Sequence, residues 1–285
     1  MGPAPTRVRE RLGKSALARI FPTPPVPPLR YPPLCAADSE LASRLRSTTR
    51  FLRLEHVPTC KSTQELAAAD QSKEWMIFWA DHQEAGRGRQ QRPWHDQPGL
   101  DLAATFSIHT DLPDPIALPV VLPLCVRDAV APLLGNRASE LRIKWPNDLL
   151  LGGKKLAGVL IDADQRRPVR YRIGVGINVN GTLPPVEVAS IAVSLRMATG
   201  APHDRLALLE ALARSIDRTV TALQQGRTAE FETRYAEGLG LTGQRVFVRG
   251  AEAKTGILEA ISLTGLRLQD GSTFPLAQVT ELRAE

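Results

Sequence analysis

Seven prolines fall between Pro22 and Pro33. Proline fixes φ and lacks an amide donor, so this stretch is confined to polyproline II or irregular chain and excludes helix. The globular part is therefore expected to begin beyond it, at Phe51, with residues 1–50 forming a basic, proline-rich extension. Short helices near 7–19 and 38–47 remain open on either side of the prolines. A winged-helix DNA-binding domain needs three patterned helices and a wing, and residues 1–50 leave no room for them. The first 37 residues carry Arg7, Arg9, Arg11, Lys14, Arg19 and Arg30 against Glu10 alone, which supplies part of the formal net charge of +6. That balance favours anionic ligands.

Length and composition bound the rest. A chain of 285 residues, 43% apolar and 23% charged, suits one sizeable core with a smaller second domain. Cys35, Cys60 and Cys125 are few and widely spaced, and the five histidines show no metal-ligand pairing, so neither a disulfide framework nor a zinc site is implied. A reducing, cytoplasmic setting is expected. No apolar stretch is expected to reach the roughly 20 residues that cross a bilayer, and no signal peptide is read at the N-terminus.

From Phe51 onward the periodicity alternates between strand and helix. Phe51–Val57 reads as a strand, and Ser62 with Glu65 forms a capping box that opens a helix. Trp75–Ala80 and Leu102–His109 read as strands, and a helix over 118–134 is expected to end at Gly135. Leu141–Trp145, Asp148–Leu151, Lys155–Ile161 and Val169–Val179 follow as strands, with Gly152-Gly153 as a hairpin turn. Helices are expected over 204–224 and 228–235. Four short runs, Arg245–Val248, Gly256–Ser262, Gly265–Gln269 and Val279–Leu282, suggest a small β-barrel.

Four segments carry chemistry. In Gly86-Arg87-Gly88-Arg89-Gln90-Gln91-Arg92-Pro93-Trp94, glycines permit close backbone approach, arginines match anionic oxygens, and the tryptophan offers a flat face. That combination suits a nucleotide, although an isolated loop of this kind is more often a solvated basic turn. Lys144-Trp145-Pro146-Asn147-Asp148 ends one strand and begins another, and its polar groups could serve phosphates with Mg²⁺ or form a plain turn. Lys154 and Lys155 point to opposite faces of a strand, so at most one is drawn toward an anion. Gly174-Val175-Gly176-Ile177-Asn178 sets two glycines in a strand, which marks close approach of a ligand or another backbone.

Taken in order with Ser62-Thr63-Gln64, with Gln83 leading the arginine loop and with Lys155-Leu156-Ala157-Gly158-Val159-Leu160, these segments resemble the biotin–protein ligase family over roughly residues 51–285. The resemblance implies an α+β fold: a mixed-sheet biotin/lipoate-ligase-like catalytic domain over 51–238, followed by an SH3-like β-barrel over 239–285. It implies formation of biotinyl-5′-AMP from biotin and ATP, then transfer of biotin to a lysine of a biotin carboxyl carrier domain of acetyl-CoA carboxylase. By the same resemblance Ser62, Thr63, Gln64 and Gln83 line the biotin ring, with Arg87, Gly88, Gly158 and Gly176 also on biotin. Arg89 and Lys155 are the catalytic cations. Trp94, Lys144, Asn147, Asp148 and Asn178 meet ATP, and Asp148 is the Mg²⁺ ligand. The arginine loop is expected to order over the intermediate. Gln64 stands where the family usually has Asn, and Gly99-Leu100-Asp101 departs from the family pattern. The segment Thr182–Ser194 is expected to include a loop covering the adenylate. No membrane or specific DNA partner is expected, and a homodimer stays open. Competing readings are a lipoate ligase or octanoyltransferase, a DNA-binding biotin sensor, and a carrier-binding protein with a degenerate site.

Overall fold

The computed structural model describes residues 35–164, 167–182 and 190–285. The proline run, the helix expected near 7–19 and most of the segment expected to cover the adenylate lie outside these residues. In chain order the elements are α1 (Ala36–Thr48), β1 (Phe51–Cys60), α2 (Thr63–Ala69), β2 (Trp75–Gln83) and β3 (Leu102–His109). Next come α3 (Ala117–Leu134), β4 (Leu141–Lys144), β5 (Asp148–Leu151), β6 (Lys154–Asp164) and β7 (Arg170–Ile177). The chain continues through α4 (Leu195–Thr199), α5 (Arg205–Gln224) and α6 (Ala229–Leu239). It closes with β8 (Arg245–Arg249), β9 (Ala253–Ile261), β10 (Gly265–Leu268), β11 (Thr273–Pro275) and β12 (Glu281–Ala284).

Seven strands form a mixed sheet in the order β1-β2-β3-β7-β6-β5-β4. Only β1 and β2 run parallel, because α2 carries the chain back across the sheet between them. Pro58 is tolerated inside β1 because that strand lies at the sheet edge, where an amide donor is dispensable. One face of the sheet presents Trp75, Ile77 and Trp79 from β2, Leu102, Ala104, Phe106 and Ile108 from β3, and Tyr171, Ile173, Val175 and Ile177 from β7. The buried residues of α1, α3 and α5 complete that core. On the opposite face lies α2, whose Ala67 and Leu66 meet Met76 and Phe78 in a separate small cluster. The uncovered remainder of that face is where the site lies.

Two expectations are corrected here. The boundary at residue 50 falls inside the folded domain, because Leu41, Ala42 and Leu45 of α1 are buried in the main core. Arg44, within the helix, and Arg50, just beyond its end, bond Glu210 and Asp217 of α5 at 2.9 and 2.5 Å. The expectation that no segment has the length and apolarity of a membrane span also fails, since Ala117–Glu140 meets that test by length and composition. Its apolar side chains pack against the sheet and α5, and Pro123 and Pro132 sit within its helical part.

The C-terminal region is a five-stranded antiparallel sheet in the order β11-β10-β9-β8-β12. The short strand β11 is not among the expected strands, since three residues with a terminal proline carry little strand signal. Val246, Val248, Leu258, Leu268 and Leu282 belong to the same buried cluster as the large sheet, so the small domain is packed onto the catalytic one.

Candidate active site

The buried end of the site is built around the N-terminus of α2. Ser62 caps the helix by accepting from the Gln64 amide at 3.3 Å, but the reciprocal Ser62–Glu65 bonds of the expected capping box are not among those of the described residues. The Thr63 amide and hydroxyl both donate to Gln83 Oε1, at 2.9 and 3.1 Å, and Thr105 Oγ1 donates to Thr63 Oγ1 at 2.9 Å. Gln64 Nε2 donates to the Leu160 and Arg172 carbonyls at 3.2 Å each, across β6 and β7. Its Oε1 is buried without a hydrogen-bond partner among the described residues, so it can receive an N–H from a ligand. Gln83 is itself fixed by Asp96, whose carboxylate accepts the Gln83 amide and bonds His82 Nδ1 at 3.0 Å.

The two glycines of β7 have a definite cause. A Cβ at Gly174 would lie 2.7 Å from Gln64 Nε2, and one at Gly176 would lie 2.3 Å from Trp94 Cε2. The close approach read from the sequence is therefore made by this chain's own Gln64 and Trp94 side chains rather than by another backbone.

The polar end is the arginine loop together with Lys155. Gly86 O accepts the Trp94 amide and Arg92 O accepts the Gly88 amide, both at 2.8 Å, which folds the loop back on itself. Gly86 is required here, since a Cβ would sit 2.5 Å from the Trp94 carbonyl oxygen. Gln90 and Gln91 take φ of 54° and 60°, left-handed values that cost energy in non-glycine residues. Among the described residues, Arg87, Arg89 and Arg92 have no carboxylate within ion-pair distance. All three are exposed and solvated, so they stay available to an incoming anion.

A bulge aims Lys155. Leu149 pairs with Ala157 but Leu150 with Lys155, so β6 carries an extra residue at this point. The slip turns Lys155 onto the face of Gly158, where a Cβ would meet Lys155 Nζ at 3.2 Å. Lys154 is exposed, as the one-lysine expectation allows. Lys155 Nζ pairs with Asp148 Oδ1 at 2.8 Å and lies 5.5 Å from the centre of the Trp94 ring. Asn147 Nδ2 donates to Val159 O at 2.7 Å, which locks the turn after the cis Trp145–Pro146 peptide against β6.

These parts enclose one cavity of about 470 Å³ lined by Ser62, Thr63, Gln64, Gln83, Arg87, Gly88, Arg89, Trp94, Lys144, Asn147, Asp148, Lys155, Gly158 and Gly176. Asn178 is not brought into it. Its Nδ2 donates to the Lys155 and Val193 carbonyls at 3.2 and 3.1 Å, and it lines a second pocket of about 100 Å³ behind Trp94. Asp101 borders that second pocket, and burial pushes its carboxyl above the usual range against the Gln97 and Val179 amides that hold it down. Thr280 and Glu281, from the C-terminal sheet, reach the rim of the main cavity and had no signal in the sequence. Cys60 stands close by, but burial and then Asp96, Glu65 and Glu84 raise its thiol to about 11, which removes it as a nucleophile.

Residues 57–180 match the family model described as the Biotin/lipoate A/B protein ligase family. A biotin–[acetyl-CoA-carboxylase] ligase of Paracoccus denitrificans is 30% identical over 229 residues, covering 75% of this chain and 93% of that protein. The bifunctional ligase/repressor BirA of Bacillus spizizenii is 34% identical over 184 residues, covering 61% of this chain and 55% of that protein. The chain thus spans about half the length of the Bacillus relative. The Aquifex aeolicus biotin protein ligase, solved in complex with biotin and ATP, superposes with a TM-score of 0.73 at 27% identity, covering 82% of this chain and all of that one. The chain belongs to the biotin–protein ligase family.

Proposed function

We propose that this protein is an ATP-dependent biotin–protein ligase that forms biotinyl-5′-AMP and passes biotin to one lysine of a biotin carboxyl carrier domain of acetyl-CoA carboxylase. One observation carries the reading. A single cavity joins a buried, uncharged hydrogen-bonding end at Ser62, Thr63, Gln64 and Gln83 to a cationic end at Arg87, Arg89 and Lys155. A ligand with a neutral polar ring at one end and a carboxylate at the other matches both. The names borne by the Paracoccus denitrificans and Mycobacterium tuberculosis relatives, each a biotin–[acetyl-CoA-carboxylase] ligase, and the biotin and ATP bound to the Aquifex aeolicus protein support it.

In the first step a carboxylate oxygen of biotin attacks the α-phosphorus of ATP, and the bond to pyrophosphate breaks. Two anions approach each other, so cations stabilise the transition state more than the separated reactants. Arg89 and Lys155 supply that charge, and Asp148 holds the Lys155 ammonium in place until the substrate oxygens share it. The adenine lies beyond Trp94, against Asn178 and the apolar wall of Ile191, Ala192 and Val193. In the second step the carrier lysine, as a free amine, attacks the acyl carbon; AMP leaves with the bonding pair and the amine proton passes to water. Magnesium would screen the phosphates. Asp148 offers one carboxylate for it, and the lack of any His, Cys or acidic cluster of three or more among the described residues fits an ion held mainly by phosphate oxygens. The same reading takes the cytoplasm as the setting and a carrier domain, rather than DNA or a membrane, as the partner.

The test is ATP–pyrophosphate exchange with biotin, with lipoate in its place, and then transfer to an apo-carrier domain. Exchange with biotin and carrier labelling are expected. Exchange with lipoate alone, or none with either acid, would remove this reading in favour of the lipoate-ligase or carrier-binding alternative.

A further inference from the structure

Arg170, the first residue of β7, is only 4% exposed although its guanidinium stays charged at every accessible pH. It faces the site side of the sheet, on the same row as Gly174 and Gly176, but lies at the far end from the cavity and lines none of it. Each of its three nitrogens donates a hydrogen bond. Nε donates to Ser107 Oγ at 3.0 Å, Nη1 donates to the Asp70 carbonyl at 2.6 Å, and Nη2 donates to the Ala67 carbonyl and lies 3.6 Å from Asp70 Oδ2. Two of these acceptors are backbone carbonyls at the C-terminal end of α2, groups that have no partner within a helix and carry its negative pole. A cation buried this deeply is tolerated only when all its donors are paired, so its position and that of the helix end are fixed together.

At its N-terminus α2 is tied to the sheet by the bonds of Thr63 and Gln64, and at its C-terminal end by few contacts besides this clamp. Beyond Ala67 and Leu66 against Met76 and Phe78, the face of α2 toward the sheet makes no large apolar contact. Its other end carries Ser62, Thr63 and Gln64, and a helix of seven residues is a rigid strut roughly 10 Å long. Tilting one end moves the other.

We propose that Arg170 is a positioning residue for the ring-binding end of the active site, acting through α2 from the side of the helix that no ligand touches. This rests on the ligase reading for its kinetic readout. Loss of the clamp lets α2 shift against the sheet, so that Thr63 leaves Gln83 and Gln64 leaves the Leu160 and Arg172 carbonyls. The acid substrate then meets a loosened ring pocket, while the ATP side, at Trp94, Lys144, Asn147 and Asp148, is unchanged.

The experiment compares Arg170→Gln, Arg170→Lys and Ser107→Ala with the wild-type chain. Each is read by KM for biotin, KM for ATP and kcat in pyrophosphate exchange, and by amide hydrogen exchange. Misplacement of binding groups by a fraction of an ångström predicts KM for biotin about tenfold higher in Arg170→Gln, with KM for ATP within about twofold. Arg170→Lys, which keeps the charge but not the fork, recovers part of the loss. Ser107→Ala, which removes one acceptor, raises KM for biotin about twofold. The amides of Glu65, Leu66 and Asp70, all bonded within α2, exchange faster in these variants while those of β3 and β7 do not. An unchanged KM for biotin in folded Arg170→Gln overturns the proposal. So does a parallel change in both KM values and kcat, which marks a general loss of structure. Should Arg170→Gln fail to fold, Ser107→Ala decides by the same split. If the wild-type chain shows no biotin-dependent exchange, the ligase reading falls, and the α2 amides still judge the clamp: unaltered protection there rejects it.

Discussion

The two ends of the cavity are built on opposite plans. At the α2 end, Ser62, Thr63 and Gln64 are at most 3% exposed and nearly every donor has a partner inside the protein. At the loop end, Arg87 and Arg89 are exposed or nearly so, with no carboxylate within ion-pair distance among the described residues. A neutral ring is recognised by groups whose positions the fold has already set, because each misplaced buried hydrogen bond costs about 1–3 kcal/mol. An anion is recognised by charges whose neutralisation waits for the substrate, because internal pairing would cancel the attraction they provide. Lys155 lies between these plans, paired with Asp148 yet directed into the cavity.

Mutation separates the two plans, with the largest effect at their junction. Lys155→Ala is expected to lower kcat in biotin-dependent exchange about 10²–10³-fold, in line with removal of one transition-state charge contact, while thermal unfolding stays near wild type. Arg89→Ala is expected to cost about 10–10²-fold in the same assay, with no loss of stability, since its side chain bonds none of the described residues. Gln83→Leu acts at the other end. It leaves the Thr63 amide and hydroxyl without their acceptor, so KM for biotin should rise about tenfold and stability should fall by about 1–3 kcal/mol in denaturant unfolding. The smallest change is Ser62→Ala, which removes the cap and should cost about 1 kcal/mol, roughly 2–4 °C in Tm. Were Arg89→Ala to destabilise the protein as much as Gln83→Leu does, the contrast between the two ends would not stand.

Much of the site was legible because its parts are contiguous. The arginine loop, the Lys144–Asp148 turn and the Ser62 cap each announce themselves within a few residues, since local chemistry and local geometry coincide there. The glycines of β7 were visible too, but the partners that require them, Gln64 and Trp94, come from 110 and 82 positions earlier. Asp96 carried no signal, because a single aspartate reads as a surface loop until burial shows it bonding Gln83 and His82. Helix α1 agrees with the short helix expected near 38–47, but it belongs to the domain and not to an extension, because Leu41, Ala42 and Leu45 bury its apolar stripe.

The amino-acid sequence by itself determined the order of the strands and helices apart from α4 and β11, the loop that carries the arginines, and the family resemblance, since periodicity, capping and turn chemistry act over short spans. Tertiary structure decided the rest. It chose Lys155 over Lys154 through a bulge that exists only because β5 pairs with β6 out of step. It moved Asn178 to the far side of Trp94, brought Thr280 and Glu281 to the rim, and set Arg170 beneath the far end of α2. Those placements depend on strand register and on which face of the sheet is left uncovered, and both follow from packing across the whole sheet rather than from any local run of residues.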